Sequence, residues 1–202
     1  MFTGIVEALG RVEQIEQVGG DVRLTIATDG SYLDGVNLGD SIASNGVCLT
    51  AVALPGKGFI ADVSVETLDA TTARQWQVGT RLNLERALTP HKPLGGHMMS
   101  GHVDGVGHLV DKHVDARSWR LTFEAPPAIA RYIARKGSVA IDGVSLTVNA
   151  VDKCRFEVNI VPHTWENTTL GDLQPGHPVN LEVDLIARYL ERLLEARSES
   201  AS

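Results

Sequence analysis

Cys48 and Thr50, in "GVCLTAV", lie two residues apart in a run of strand-forming residues, as do Ser145 and Thr147 in "GVSLTVN". Alternation along a strand puts Val47 and Leu49 on one face and Cys48 and Thr50 on the other. In an isolated strand two such polar groups would simply be the solvent side. Here the pair recurs behind the same glycine, Gly46 and then Gly143, and Thr67 in "VETLDATT" recurs as Thr164 in "PHTWENTT". A hydroxyl both donates and accepts, which suits a polyol. Two matching sets point to two copies of one ligand, or to two closely related ligands.

The recurrence is not confined to these strands. "NGVCLTAVAL", from Asn45, returns as "DGVSLTVNAV", from Asp142, 97 residues further on. Gly4, Val6 and Gly10 fall on Gly101, Val103 and Gly107 in the same register, Ser41 on Ser138, and Gly79, Asn83 and Glu85 on Gly176, Asn180 and Glu182. A register kept this long is a duplicated domain, since solenoid repeats have periods of about 20–50 residues. Where the copies agree they can share a binding task. Where an ionisable or reactive group stands in one copy only, chemistry is a candidate reason: His102 falls on Ile5, Ser145 on Cys48 and Asp184 on Ala87. Divergence after duplication would account for any one such difference.

Other chemistries find little support. His91, His97, His102, His108 and His113 follow one another at intervals of five and six residues, which scatters the rings of an extended chain. Metal sites use tighter spacings such as HExxH or paired CxxC. "GVGHLV" is neither a dinucleotide fingerprint nor part of a P-loop. A net charge of −7 argues against nucleic acid, which calls for a basic face. No apolar run approaches the roughly 20 residues of a membrane span. The start, "MFTGIVEALGRVEQ", has no basic, then apolar, export pattern. Cys48 and Cys154 are therefore expected to be free thiols in a reducing cytoplasm.

The elements that must hold these residues are strands. "DVRLTIAT", "SWRLTFEA", "GFIADVSV", "RFEVNIV" and "TRLNL" alternate apolar and polar residues between Gly, Asp and Pro, the mark of antiparallel strands buried on one face. Five or six in about 90 residues suit a small closed barrel without free edges. Short helices are expected near "GSYLDGV" and at "PPAIARYIARKG". "RALTPHKPLGG", Arg86 to Gly96, reads as the connection. The expected division is residues 1–96, residues 97–184 and a C-terminal helix and tail over 185–202. In that helix Leu185, Ile186, Tyr189, Leu190, Leu193 and Leu194 line one side. The stripe either covers the base of one barrel or packs against other subunits.

"MFTGIVE", "NGVCLTAV", "GGHMMSGHVDGVG", "KGSVAIDGVSLTVN" and "VPHTWENTTLG" together resemble the riboflavin synthase family, the two-barrel lumazine-binding proteins; the likeness runs from Met1 to about Glu195. The resemblance implies an all-β fold of two homologous, closed, six-stranded antiparallel Greek-key barrels followed by an amphipathic helix. It also implies a cytoplasmic homotrimer held by C-terminal helices, with the active site between barrels of neighbouring subunits. The implied activity makes one riboflavin and one 5-amino-6-ribitylaminouracil from two molecules of 6,7-dimethyl-8-ribityllumazine, without metal, redox cofactor or ATP. An association with lumazine synthase is a further partner the resemblance allows. Matched motif by motif, Phe2, Ser41, Cys48, Thr50 and Thr67 are expected in the N-terminal pocket. His102, Lys136, Ser145, Thr147, Val161, Thr164 and Asp184 are expected in the C-terminal one, and Gly4, Val6, Gly101 and Val103 are expected at the substrate as well. His102, Cys48, Ser145, Thr147 and Asp184 are the expected catalytic group, while His97 reads as structural. A non-catalytic lumazine or flavin carrier of the antenna type is the rival; such proteins tend to lose motifs in the second barrel, which is complete here. A duplicated interaction module would not require paired pocket hydroxyls.

Overall fold

The structure is a computed structural model, and it describes residues 1–199. The first repeat forms β1 (Ala8–Val18), β2 (Asp21–Ala27), β3 (Ser41–Ser44), β4 (Val47–Thr50), β5 (Gly58–Val63) and β6 (Arg81–Arg86). The second forms β7 (Gly105–Asp115), β8 (Ser118–Glu124), β9 (Ser138–Ile141), β10 (Val144–Asp152), β11 (Arg155–Ile160) and β12 (Pro178–Val183). The strand order is β4-β3-β6-β1-β2-β5 in the first sheet, and the second repeats it strand for strand. Even the bulge recurs, between Val12 and Gln14 and between Leu109 and Asp111.

The two sheets close differently. β10 pairs with β11 from Val148–Val158 to Asp152–Arg155 and completes a barrel. In the first sheet the equivalent seam is a single bridge, Ala53 to Ile60. Pro55 stands where Asp152 pairs with Arg155, and a proline has no N–H to offer a ladder. Both sheets wrap their own cores. Leu24, Ile26, Ile42, Phe59, Leu82 and Leu84 fill the first, and Leu121, Phe123, Phe156, Val158, Val179 and Leu181 the second. These are the inward positions of the alternating runs, as the burial along β2 shows for Val22, Leu24 and Ile26.

Helices are short. The one expected at "GSYLDGV" is a 3₁₀ turn, Gly30–Leu33, capped by the Asp29 carboxylate. At "PPAIARYIARKG" only α2 (Pro127–Ala130) is helical, and the chain turns through Lys136 at φ 68°. Two helices were not anticipated: α1 (Val65–Ala70) and α3 (Pro162–Asn167), too short at six residues each to carry a helical period.

The repeats are interlocked about an approximate two-fold axis. Asn83 Nδ2 donates to the Asp142 carbonyl (2.9 Å) while its Oδ1 accepts from Thr169 N–H (2.8 Å). Asn180 does the same to the Asn45 carbonyl and Thr72 N–H, both at 2.8 Å. Removing either amide would leave a buried N–H and C=O unpaired, at about 1–3 kcal/mol each. Gly46 and Gly143 face one another across the axis. A Cβ on Gly46 would lie 2.9 Å from Gly143 N, and one on Gly143 2.7 Å from Gly46 N, so no side chain fits at either.

The C-terminal helix, α4 (Leu185–Glu199), turns its polar side to its own barrel. Arg188 pairs with Asp104 at 2.7 Å, and Glu191 with Arg131 at 2.8 Å and with the Tyr132 hydroxyl. Ile186, Tyr189, Leu190, Leu193 and Leu194 are 55–74% exposed. The stripe therefore does not cover its own barrel's base. Residues 200–202 of the expected tail lie outside the described residues.

Candidate active site

Each repeat begins with a segment that crosses to the other barrel. Thr3 N–H and Oγ1 donate to Glu85 Oε1 (2.8 and 2.6 Å) and Gly4 N–H to Oε2 (2.9 Å). Ser100 and Gly101 make the same three bonds to Glu182 at 2.6, 2.6 and 3.0 Å. Burial pushes the Glu182 carboxyl up from its ordinary range, and these donors oppose the shift. The donor side of each segment is thus tied to its own barrel. The carbonyl side reaches the other: Gly101 O accepts from Cys48 N–H at 2.9 Å, and Gly4 O from Ser145 N–H at 2.8 Å. An antiparallel bridge between Phe2 and Met99 joins the segments where they pass. A Cβ on Gly101 would sit 2.7 Å from both Cys48 Cβ and the Phe2 ring, so this approach needs glycine.

The crossing creates two corresponding cavities. One, of about 240 Å³, is lined by Val47, Cys48, Glu66, Thr67, Ala70, Thr71, Gly101, His102 and Val103. The other, of about 130 Å³, is lined by the nine residues in register with them: Val144, Ser145, His163, Thr164, Asn167, Thr168, Gly4, Ile5 and Val6. Each combines the thiol or hydroxyl of one barrel's strand, the threonine of α1 or α3, and the other repeat's entry segment. Ser64 caps α1, accepting from Thr67 N–H at 3.2 Å, and its Oγ lies 3.1 Å from Thr67 Oγ1. Thr71 and Thr168, which also recur, are structural. Each donates to the carbonyl of the site threonine at 2.7 Å and accepts from the N–H two residues on.

The structure brings some of the expected residues together and leaves others apart. His102, expected with the second barrel's pocket, lines the first barrel's cavity with Cys48, Gly101 and Val103, and Gly4 and Val6 line the second's with Ser145. Phe2 is fully buried behind Gly101 and Cys48 and lines neither. Ser41 lines a separate cavity of about 540 Å³ beside Glu7, Arg86 and Lys92. There Glu7 lies below the usual carboxylate range: the Lys92 and Arg86 bonds outweigh the larger single effect of burial. Thr50 and Thr147 are exposed and pair with Ser41 and Ser138. Lys136 is in the exposed turn before β9, Val161 stands at the N-cap position of α3 and Asp184 caps α4, and none of the three lines either cavity. A further cavity, of about 430 Å³, lies on the approximate axis between Asn45 and Asp142 and holds none of the repeated site groups.

Glu66, His163 and Asn167 are site residues that the sequence reading passed over. The signal was available, because Glu66 falls on His163 and Ala70 on Asn167, differences of the same kind as Ile5 and His102. The first cavity therefore presents a carboxylate, an imidazole and a thiol. The second presents an imidazole, an amide and a hydroxyl.

A duplicated barrel with a matched polar cavity on each half defines a protein with two lumazine binding domains, and the family model of that description matches residues 3–87 and 100–184. Those spans reproduce the 97-residue register. The chain belongs to the riboflavin synthase family. It is 46% identical over 194 residues to the riboflavin synthase of Photobacterium phosphoreum, covering 96% of this chain and 89% of that one. Identity is 45% to that of Mycobacterium tuberculosis (97% and 99% covered) and 36% to that of Bacillus subtilis (99% and 93%). Among solved structures it is similar to LumP complexed with 6,7-dimethyl-8-(1'-D-ribityl) lumazine, with a TM-score of 0.82 and 25% identity. It is also similar to LumP complexed with riboflavin, at 0.84 and 26%; both matches cover 91% of this chain and 99% of the other.

Proposed function

We propose that this chain is a riboflavin synthase, a transferase that moves a four-carbon unit between two molecules of 6,7-dimethyl-8-ribityllumazine to give riboflavin and 5-amino-6-ribitylaminouracil. The observation that carries the reading is the pair of corresponding cavities that differ in their reactive groups. Two copies of one substrate need two similar sites, and different fates need different chemistry. A non-catalytic carrier of one ligand needs neither. Identity of 36–46% to riboflavin synthases over nearly the whole chain, against 25–26% to LumP, supports the same choice.

The threonine hydroxyls, Thr67 and Thr164, serve the ribityl chains. His102 and Cys48 act in the first cavity and Ser145 in the second. The 7-methyl group of the lumazine is acidic because its carbanion delocalises into the ring, so a positioned imidazole can take its proton near neutral pH. C7 of the other molecule is electrophilic and accepts a thiolate, hydroxyl or water before the rings join. Holding two flat rings in register removes much of the entropic barrier, with effective molarities of about 10⁵ M attainable.

At about 240 and 130 Å³ the cavities fall below the roughly 300–1,000 Å³ usual for small-molecule sites. A neighbouring subunit completes each, and the outward stripe of α4 is the surface that brings subunits together, in a trimer. The test is riboflavin formation from the lumazine alone, paired with a riboflavin titration of Thr67→Val and Thr164→Val. Each variant should lose one class of binding site and most turnover. A variant that keeps both sites and full turnover would contradict the assignment.

A further inference from the structure

His97 is a buried ionisable group beside the second cavity that this scheme leaves without a task. It is 9% exposed, and its Nδ1 lies 2.7 Å from Ser145 Oγ. Its backbone N–H donates to Thr3 O at 3.1 Å, which fixes it against the crossing segment. Nε2 is buried with no partner among the described residues. Among the described residues the imidazole contact is made to Ser145 of the second cavity, and no histidine bonds Cys48, its counterpart in the first.

Two neutral tautomers fit the 2.7 Å contact. If Nδ1 accepted from the serine, the ring proton would sit on Nε2 as a buried N–H with no acceptor. With the proton on Nδ1, the ring donates to Ser145 Oγ and only a lone pair at Nε2 goes unfilled. Orphaned buried N–H groups are the rarer and costlier case, so the second tautomer is favoured. An imidazolium is disfavoured too: burial lowers the ring's proton affinity, and the Asp184 carboxylate only partly opposes this. The serine is also sterically pinned. A Cβ on Gly4 would come within 2.5 Å of Ser145 Cβ, and one on Gly96 within 2.7 Å.

We propose that His97 is a positioning residue whose Nδ1–H holds Ser145 Oγ, so that the serine hydroxyl proton points into the second cavity as a hydrogen-bond donor to the lumazine bound there. The inference rests on the proposed function. A hydroxyl that accepts a hydrogen bond is a stronger donor through cooperativity. Aimed at the ring, it stabilises the negative charge that develops as a 7-methyl proton leaves, the task of an oxyanion-type donor. His97 then takes up no proton during turnover.

The test uses the full chain with His97→Asn, His97→Leu and Ser145→Ala. Three quantities are read: exchange of the 7-methyl protons into D₂O by NMR, single-turnover riboflavin formation, and the pH profile of each. Asparagine can place an N–H where Nδ1 stood; leucine cannot. Loss of one such donor costs about 10²–10³-fold. His97→Leu and Ser145→Ala should each slow exchange by about that much, and His97→Asn should recover most of it with the acid limb unchanged. In a Ser145→Ala background, His97→Asn should change nothing further. A His97→Asn variant as slow as Ser145→Ala, or one that loses an acid limb, would make the ring a base and overturn the proposal. So would unchanged exchange in a His97→Leu chain that merely melts lower. If His97→Leu does not fold, the asparagine variant alone and in the Ser145→Ala background decides. An unsubstituted chain that neither exchanges nor consumes the lumazine would instead refute the function, and the proposal with it.

Discussion

His102 stands where the other repeat has Ile5, and the two side chains occupy corresponding places in the two cavities. Its ring is exposed, whereas its backbone carries structure: the N–H bonds Ser100 Oγ at 3.2 Å and the carbonyl accepts from Arg188 at 3.1 Å. His102→Gln should therefore melt like the unsubstituted chain and keep its ligand affinity. It should slow single-turnover riboflavin formation by about 10²–10⁴-fold, the range for a positioned acid or base. A loss below about tenfold would move the proton transfer to another group. That His102 differs from its counterpart was legible in the sequence, because an ionisable side chain faced an aliphatic one in the register. Its company with Cys48 was not. A repeat shows which positions correspond, and both the straight and the crossed arrangement place Gly101 and Gly4 at equivalent points. Only the bonds from Cys48 to Gly101 and from Ser145 to Gly4 distinguish them.

At the scale of elements, the turns before β4 and β10 carry the contact between barrels, and one holds a titratable group. Asn45 Oδ1 accepts from Asn83 N–H at 2.7 Å; Asp142 Oδ1 accepts from Asn180 N–H at 2.8 Å. Burial pushes the Asp142 carboxyl up to about 7. An unfolded aspartate ionises near 3.9. The native state therefore holds a proton that the unfolded chain releases, and stability falls as pH rises from about 4 to about 7, by about 4 kcal/mol in all. Asp142→Asn keeps the acceptor and tolerates the φ of 45°. It should melt about 5 °C or more above the unsubstituted chain at pH 8. At pH 4 the two should match. Glu182, also pushed up by burial, leaves some pH dependence in the variant. Equal slopes of melting temperature against pH would show that Asp142 ionises normally. β2, β5, β6, β8 and β11 were legible from period-two apolarity, whereas α1 and α3 were not, since six residues hold fewer than two helical turns.

For the molecule as a whole, α4 is the element whose role one chain leaves open to its surroundings. Its ion pairs bind the barrel and its apolar face points away. A chain ending at Asp184 loses that face, and should sediment as a smaller particle with much reduced turnover. Unchanged size and activity would exclude the helix as the contact between subunits. The sequence displayed the stripe but not its direction, which follows from Arg188 and Glu191 finding partners on β7's approach and beside α2.

The claim that joins these scales is that two similar, unequal sites process two copies of one substrate. Its most direct measurement is to incubate the protein with 6,7-dimethyl-8-ribityllumazine alone, with no metal or cofactor added, and quantify both products. The account predicts one riboflavin and one 5-amino-6-ribitylaminouracil for every two lumazines consumed, at every time point. A lumazine that binds and is recovered unchanged, or riboflavin formed without an equal amount of the pyrimidine, would contradict it.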